Sequence, residues 1–259
     1  MTTHRIERGP GWELRNYDWR DDPYPSVQVD AVIEDPPYGS RTHAGQRHER
    51  KTGTSGDLVS DAGLQYDHLT PEDVGLLVVS ADVVCRGWCA WMTSHDLIPA
   101  YEDAAKHCSP PRYVFAPVPI VIPGMNVRLA GDGPSNWAIH LVVTRTKTKK
   151  CWGTKPGAYI VDRDRNGGKL TDNAVKGGKP LGLMEALIRD YTDPGDMVMD
   201  RFSGGGTTGV AAVRNGRRFI GYERDAGRFE IALARLRETR EIRGLFDATT
   251  GEQKSLLGD

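Results

Sequence analysis

Apolar residues in this chain fall into short runs separated by polar stretches that contain glycine and proline. The run "VQVDAVIE" at 27–34 predicts a buried strand, and "GWCAWMTSHD" at 87–96 predicts another with polar residues at its end. We expect residues 1–12 to form a polar arm. Further strands are predicted over 12–19, 112–122 and 136–147.

Helix signals occur between these strands. Thr70 is a candidate N-cap, Pro71 suits the first helical position, and acidic residues follow in the first turn. A second helix is predicted over 97–108. The stretch 39–69 is rich in Gly, Ser, Thr, His and Arg, and we expect a long loop there, of a length that is usually functional or disordered.

The last part of the chain, from residue 179, alternates between helix and strand patterns. A helix pattern is followed by a turn at Pro194, a strand, a glycine-rich loop, a helix, a strand, an acid and a last helix. Such alternation predicts βαβ units and a parallel sheet. A length of 259 residues allows one large α/β domain or two small ones, and we see no internal repeat.

Composition narrows the class of protein without identifying a partner. The apolar content of 38% and charged content of 27% suit a globular protein and argue against wholesale disorder. No apolar run reaches the length of a membrane span, and the N-terminal sequence lacks an apolar signal core. We therefore expect a cytoplasmic protein. The net charge of −1 predicts no partner by itself.

The distribution of charge is more informative than its sum. Residues 144–179 contain ten Lys or Arg against three Asp, and residues 41–51 contain four against one Glu. Each stretch alone is compatible with a solvated basic loop. Two such loops in a nearly neutral chain predict a face that binds a polyanion. The candidate contacts are Arg41, Arg47, Arg50, Lys51, Arg145, Lys147, Lys149 and Lys150.

The cysteines do not suggest a metal site. Cys85, Cys89, Cys108 and Cys151 form no CxxC pair, and no histidine stands at zinc-finger spacing from them. We expect Cys85 and Cys89, which lie four apart in an apolar stretch, to be packed thiols. We expect no bound metal and no disulfide framework, since a chain of this size does not need one.

The stretch "MVMDRFSGGGTTG" joins a predicted strand to a predicted helix. Gly204, Gly206 and Gly209 match G-x-G-x-x-G, and Glu223 follows about 20 residues later at the end of the next strand. Glycines allow close approach of the backbone to a ligand, and such an acid can accept hydrogen bonds from ribose hydroxyls. The pattern predicts a nucleoside-containing cofactor, and it fits an NAD-dependent oxidoreductase as well as a methyltransferase.

Polar residues around this loop favour the methyltransferase. Asp200 ends the predicted strand, where its carboxylate could meet a cationic amino-acid group. Thr207 and Thr208 could bind a carboxylate. S-adenosylmethionine carries such a zwitterionic tail and NAD does not.

The stretch "DPPY" follows the predicted strand 27–34. If the acceptor is an exocyclic amine of a nucleobase, the Asp35 carboxylate and the Pro36 carbonyl could accept its hydrogens, and Tyr38 could stack on the base. Pro36 and Pro37 would fix the φ angles that direct these acceptors. The base would have to leave the duplex. The plainer alternative for the tetrapeptide is an extended Pro-Pro turn.

Four stretches together resemble one family, the DNA amino-methyltransferases that act on N6 of adenine or N4 of cytosine. "DPPY" resembles its catalytic motif, "DRFSGGGTTG" its cofactor loop, "GYERD" its ribose-binding segment and "KPLGLMEALI" the helix before the cofactor strand. The order, with the catalytic motif first and the cofactor loop last, resembles the permuted β class. The resemblance implies a Rossmann-like S-adenosylmethionine-dependent fold with a mostly parallel central sheet.

The resemblance also implies an organisation and a set of site residues. One methyltransferase domain would hold a catalytic half at 13–143, a short basic target-recognition segment at about 144–178 and a cofactor half at 179–242. The implied catalytic residues are Asp35, Pro36, Pro37 and Tyr38. The implied cofactor residues are Asp18, Lys179, Pro180, Asp200, Phe202, Gly204, Gly206, Thr207, Thr208 and Glu223. Asp18 stands in "NYDWRDD", which departs from the family's usual Gly-Asp.

By this resemblance we expect methyl transfer to N6 of adenine in double-stranded DNA, because aspartate at the first position of the tetrapeptide is commoner among adenine enzymes. N4 of cytosine is the alternative, followed by adenine in RNA and by an NAD-dependent oxidoreductase. A non-catalytic DNA-binding relic is a further alternative, against which the intact glycine loop argues. A homodimer and a cognate restriction nuclease are candidate partners.

Overall fold

The computed structural model describes residues 4–23, 25–44, 67–121, 138–148, 154–161 and 178–239. Several predicted residues lie outside these ranges. They are Arg47, Arg50, Lys51, Lys149, Lys150 and Cys151.

The described strands and helices account for most of the predicted elements. The strands are β1 (Arg5–Gly9), β2 (Trp12–Asn16), β3 (Val29–Glu34), β4 (Cys85–Ser94), β5 (Tyr113–Val114), β6 (Val118–Val121), β7 (Ile139–Arg145), β8 (Tyr159–Ile160), β9 (Met197–Asp200) and β10 (Arg218–Tyr222). The helices are α1 (Ser40–Ala44), α2 (Pro71–Val84), α3 (Ile98–His107), α4 (Leu181–Tyr191), α5 (Thr207–Arg214) and α6 (226–239).

The strands form one sheet in the order β1-β2-β10-β9-β3-β4-β7-β6-β8, with β5 also paired to β7. The central strands β2, β10, β9, β3 and β4 are parallel to one another. Strand β1 is antiparallel to β2, and β7 is antiparallel to β4. The prediction of a mostly parallel sheet is confirmed, and the antiparallel pairs lie towards its two ends.

Strands β9 and β10 come late in the chain and insert between β2 and β3, which come early. The carboxyl ends of these parallel strands therefore meet at one edge of the sheet. Asp35, Asp200 and Glu223 follow β3, β9 and β10 within a residue or close the strand there. The candidate site residues are assembled because the strand order differs from the chain order.

Both faces of the sheet are covered. Helices α2 and α3 pack on one face, where Val32 and Trp91 are buried. Helices α4, α5 and α6 pack on the other, where Ile33 and Met92 are buried. Central strands buried on both faces read as nearly continuous apolar runs, which is why β3 and β4 were visible in the sequence. Among the described helices, none is long and apolar enough to cross a bilayer.

The N-terminal cap of α2 is confirmed. The Thr70 hydroxyl accepts a hydrogen bond from the Asp73 backbone N–H at 3.2 Å, and the Asp73 carboxylate accepts one from the Thr70 N–H at 3.0 Å. This reciprocal arrangement is a capping box.

Three local predictions differ from the structure. The polar arm contains strand β1, whose single large apolar residue, Ile6, gave no alternating signal; backbone pairing with β2 holds it. The long loop begins with the short helix α1. The single strand over 112–122 is divided into β5 and β6, because the chain contains Pro117 between them.

Candidate active site

The tetrapeptide of residues 35–38 leaves the carboxyl end of β3 and is held in place by backbone hydrogen bonds. The Gly39 N–H donates to the Ser94 hydroxyl at 3.0 Å, and the Leu69 N–H donates to the Tyr38 carbonyl at 3.2 Å. Pro36 is buried. The carboxyl end of β4 and the segment before α2 therefore both support the tetrapeptide.

Asp35 is the centre of a small polar cluster. Its Oδ1 accepts a hydrogen bond from the Tyr38 hydroxyl at 2.9 Å, and its Oδ2 accepts one from Lys179 Nζ at 2.5 Å. The same Nζ lies 5.0 Å from the centroid of the Tyr38 ring. Residues from the tetrapeptide and from the start of α4, far apart in sequence, thus meet in one place.

The packing around position 39 explains why a glycine follows the tetrapeptide. A Cβ atom at this position would lie 2.3 Å from Asp96 Oδ2, so no side chain fits without movement. Asp96 was not predicted as a site residue. Its position as the last polar residue of the strand predicted over 87–96 is the signal that could have indicated it.

A buried ion pair joins the two halves of the site. Arg201 Nε donates to Glu34 Oε1 at 2.6 Å, and its Nη2 donates to Oε2 at 2.9 Å. The Arg201 backbone N–H and the Trp91 indole N–H also donate to the Glu34 carboxylate, each at 3.1 Å. The pair fixes the strand end before the tetrapeptide against the one before the glycine loop. Sequence reasoning missed it, since Glu34 and Arg201 are 167 residues apart.

The remaining donors of Arg201 extend this network to α2. Its Nη1 donates to the Ser80 hydroxyl at 2.5 Å, and Nη2 donates to the Leu77 carbonyl at 3.1 Å. A buried charge is tolerated when it is paired and its other hydrogen-bonding groups are satisfied, and both conditions are met here.

Asp200 is buried at the end of β9. Burial raises its pKa to about 8, and the nearby charges of Glu34 and Asp35 act in the same direction. Hydrogen bonds from Thr208 and from the Phe202 backbone N–H, at 2.8 Å for the latter, oppose the rise. The site therefore contains a carboxyl group that a nearby cation would help to ionise.

The glycine loop has the conformation that its sequence requires. Gly204 and Gly206 have φ angles of 51° and 78°, in the left-handed region. A Cβ atom on Gly206 would also lie 2.9 Å from the Ala232 Cβ of α6. Thr207 and Thr208, both buried, form the first turn of α5.

Glu223 braces this loop. Its Oε2 accepts a hydrogen bond from the Gly204 N–H and its Oε1 accepts one from the Asp225 N–H, each at 2.8 Å. Burial raises the pKa of its carboxyl group, and these two hydrogen bonds oppose the rise. The predicted ribose contact of Glu223 stays a prediction, and the structure adds a role in holding the loop.

The remaining cofactor residues border the same edge. The ring of Phe202 makes an edge contact with Trp19, with centroids 6.0 Å apart. Pro180 is buried at the start of α4. Asp18 caps the short turn after β2 by accepting from the Arg20 N–H at 3.0 Å.

Asp18 also lies beside the segment after β10. Its carboxylate pairs with the side chain of Arg224 at 3.5 Å, and Asn16 donates to the Glu223 carbonyl at 2.8 Å. The structure therefore brings Asp18 to the Glu223 side of the edge, while its side chain serves the local turn. Trp19 follows Asp18 in the chain and contacts Phe202, and it was not predicted as a site residue.

The predicted polyanion contacts that fall within the described residues lie in two separate places. Arg41 lies at the same end of the sheet as the tetrapeptide, with its guanidinium 3.4 Å from the His95 ring. Arg145 pairs with Trp88 near the start of β4, whereas Ser94, which supports Gly39, ends that strand. At about 3.3 Å per residue, Arg145 is roughly 20 Å from the tetrapeptide end.

Lys147 follows Arg145 and stands over the ring of Tyr113 at 6.0 Å. The structure thus does not bring Arg145 and Lys147 together with Asp35 and Arg41. The physical reason is the antiparallel direction of β7, which carries its carboxyl end away from the edge where the parallel strands end.

Comparisons with known proteins agree with this geometry. A family model described as DNA methylase, of the N6 and N4 type, matches residues 138–234. The type II methyltransferase M2.DpnII of Streptococcus pneumoniae is 46% identical over 63 residues, which cover 24% of each chain. The match therefore spans about a quarter of the length of that curated relative.

Solved structures match over most of the chain at low sequence identity. The M1.HpyAVI–SAM complex has a TM-score of 0.60 and 20% identity, covering 87% of this chain and 98% of the other. The PvuII cytosine-N4-specific DNA methyltransferase has a TM-score of 0.60 and 15% identity, covering 87% and 86%.

These structural matches define the fold class, which is the Rossmann-like α/β fold of DNA methyltransferases. Over part of the chain, the family match at residues 138–234 and the curated relative add a similarity to N6/N4 DNA methylases.

Proposed function

We propose that this protein transfers a methyl group from S-adenosylmethionine to the N6 amine of adenine in DNA. One observation carries the proposal. Asp35 follows β3 and Asp200 ends β9, which pairs with β3, so the tetrapeptide and the glycine loop leave neighbouring strand ends at the same edge of the sheet. An acceptor for an amine would thus stand beside residues suited to bind a cationic nucleoside.

The cofactor pocket would use residues at the ends of β9 and β10 and in the first turn of α5. The Asp200 carboxyl group would be stabilised in its charged form by the cationic part of the cofactor. Thr207 and Thr208 would bind its carboxylate, and Glu223 and Phe202 would border the adenosine. When bound, S-adenosylmethionine supplies an electrophilic methyl group on a sulfonium centre.

The tetrapeptide would hold the target base. A flipped base would stack on Tyr38, whose ring is held by its hydroxyl contact with Asp35. Asp35 and the Pro36 carbonyl would accept the two hydrogens of the amine. Held in this way, the amine nitrogen would form its bond to the methyl carbon as the carbon–sulfur bond breaks, and it would then lose a proton to solvent, leaving S-adenosylhomocysteine as the other product. Such direct transfer requires positioning and no covalent intermediate.

Adenine is the proposed target because aspartate occupies the first position of the tetrapeptide. N4 of cytosine is the second candidate, since both amines present the same two hydrogens to a carboxylate. The PvuII enzyme, a neighbour in fold, is cytosine-N4-specific by name. A homodimer and a cognate nuclease stay predictions.

The test is methyl transfer from labelled S-adenosylmethionine to DNA that lacks methylated bases, followed by mass spectrometry of the nucleosides. N6-methyladenine is the expected product. If the product is N4-methylcytosine, the target is N4 of cytosine and not N6 of adenine. If label enters RNA alone, the substrate is RNA and not DNA. Binding of NAD in place of S-adenosylhomocysteine would overturn the methyltransferase proposal.

A further inference from the structure

Lys179 contacts the proposed catalytic carboxylate directly. Its Nζ lies 2.5 Å from Asp35 Oδ2, and the two side chains are 13% and 23% exposed. An ion pair largely removed from water is screened less than one on the surface. The family resemblance implies that Lys179 is a cofactor residue, whereas its contacts in the structure are with Asp35 and the Tyr38 ring.

The geometry around Asp35 constrains its carboxylate plane from both sides. Tyr38 donates to Oδ1 at 2.9 Å and Lys179 donates to Oδ2. A carboxylate offers about four lone-pair sites, so these donors leave acceptor positions for the target amine. Lys179 also lies over the Tyr38 ring at 5.0 Å, so one ammonium contacts both the acceptor and the proposed base platform.

We infer that Lys179 is a positioning residue that acts through Asp35: it orients the carboxylate and balances its charge while the carboxylate binds the target amine. The inference rests on the proposed function, and it assigns Lys179 to the base side of the site. The start of α4 places it there, because buried Pro180 and the helix that follows fix the backbone of residue 179.

The experiment compares the wild-type protein with Lys179→Ala, Lys179→Arg and the exposed control Lys106→Ala on α3. Methyl transfer to unmethylated DNA gives kcat and the KM for S-adenosylmethionine. Titration with S-adenosylhomocysteine gives cofactor affinity, and thermal unfolding reports folding. Addition of ethylamine to Lys179→Ala tests whether a free ammonium replaces the lost group.

We expect kcat of Lys179→Ala to fall by about 100-fold, since small misplacements of reacting groups have effects of this size. Affinity for S-adenosylhomocysteine should stay unchanged, and Lys179→Arg or ethylamine should restore part of kcat. Unchanged kcat, or a loss of S-adenosylhomocysteine affinity that accounts for the whole defect, would overturn the inference. A wild-type protein that transfers no methyl group would overturn the proposed function itself, and the inference with it.

Discussion

Glu34 and Arg201 form a buried, doubly hydrogen-bonded ion pair between the ends of β3 and β9. These adjacent strand ends carry the tetrapeptide and the glycine loop. The ion pair therefore joins the strand end that precedes the proposed base-binding residues to the one that precedes the proposed cofactor-binding residues.

Removal of one partner from this pair should be strongly destabilising. Arg201→Met leaves the buried Glu34 carboxylate without its counter-charge, which typically costs about 3–5 kcal/mol. Denaturant unfolding at neutral pH would measure the loss. Arg214→Met, which breaks an exposed pair with Glu185, is the control and should change the free energy of unfolding by less than about 1 kcal/mol.

The double variant Glu34→Leu with Arg201→Met tests whether the cost arises from the unpaired charge. We expect it to be more stable than Arg201→Met alone, because no buried charge is then left without a partner. A double variant that loses the sum of both single effects would contradict this explanation.

Gly39→Ala should impair activity by displacing the tetrapeptide. The new Cβ would meet Asp96 Oδ2 at 2.3 Å, so either the Asp96 side chain or the segment that follows Tyr38 must move. Steady-state methyl transfer should show a fall in kcat. Adding Asp96→Gly to the same chain removes the obstructing atoms and should recover part of it; no recovery would show that this contact is not the cause.

The raised pKa of Asp200 predicts that the stability of the protein depends on pH. Its ordinary pKa of 3.8 rises to about 8 on folding, mainly because of burial. The folded state then binds more protons than the unfolded state between these values, so this group makes the protein less stable as pH rises from about 4 to about 8. The effect is on the order of 1 kcal/mol per pH unit at most.

The contribution of Asp200 can be isolated by measuring the free energy of unfolding of the wild-type protein and of Asp200→Asn between about pH 4 and about pH 8. The stability of Asp200→Asn relative to wild type should increase with pH, since the amide does not titrate. A constant difference between the two proteins would contradict the raised pKa.

Gly206→Ala should disrupt the cofactor loop. The residue has φ 78°, and its added Cβ would lie 2.9 Å from the Ala232 Cβ in α6. Gly216→Ala is a matched control, because Gly216 has φ 76° with open space around its Cβ position. Both variants should carry a backbone cost of about 1–2 kcal/mol. Only Gly206→Ala should also lose S-adenosylhomocysteine affinity, as measured by calorimetry.

The sequence was informative where chemistry-bearing residues are adjacent in the chain. The tetrapeptide and the glycine loop could be predicted because each motif forms a local turn after a buried strand. Lys179 could be selected by resemblance, but its contact with Asp35 depends on how α4 packs beside β3. The Glu34–Arg201 pair depends on the insertion of β9 beside β3, which no local pattern encodes.

The positions of the basic residues in the basic stretch 144–179 were also beyond what local sequence could predict. Arg145 and Arg41 both belong to basic stretches, and charge counting gave them one common role. The antiparallel direction of β7 places Arg145 near the start of β4, away from Arg41 and His95. Strand direction is a property of the sheet, and the local sequence of β7 does not reveal it.

The central claim is that Asp35 holds the amine that accepts the methyl group. The most direct test is transfer of labelled methyl from S-adenosylmethionine to unmethylated DNA by Asp35→Ala, beside the exposed control Asp103→Ala on α3. We predict that Asp35→Ala transfers no measurable label and still binds S-adenosylhomocysteine, while Asp103→Ala behaves as wild type. Methyl transfer by Asp35→Ala at the wild-type rate would contradict the account.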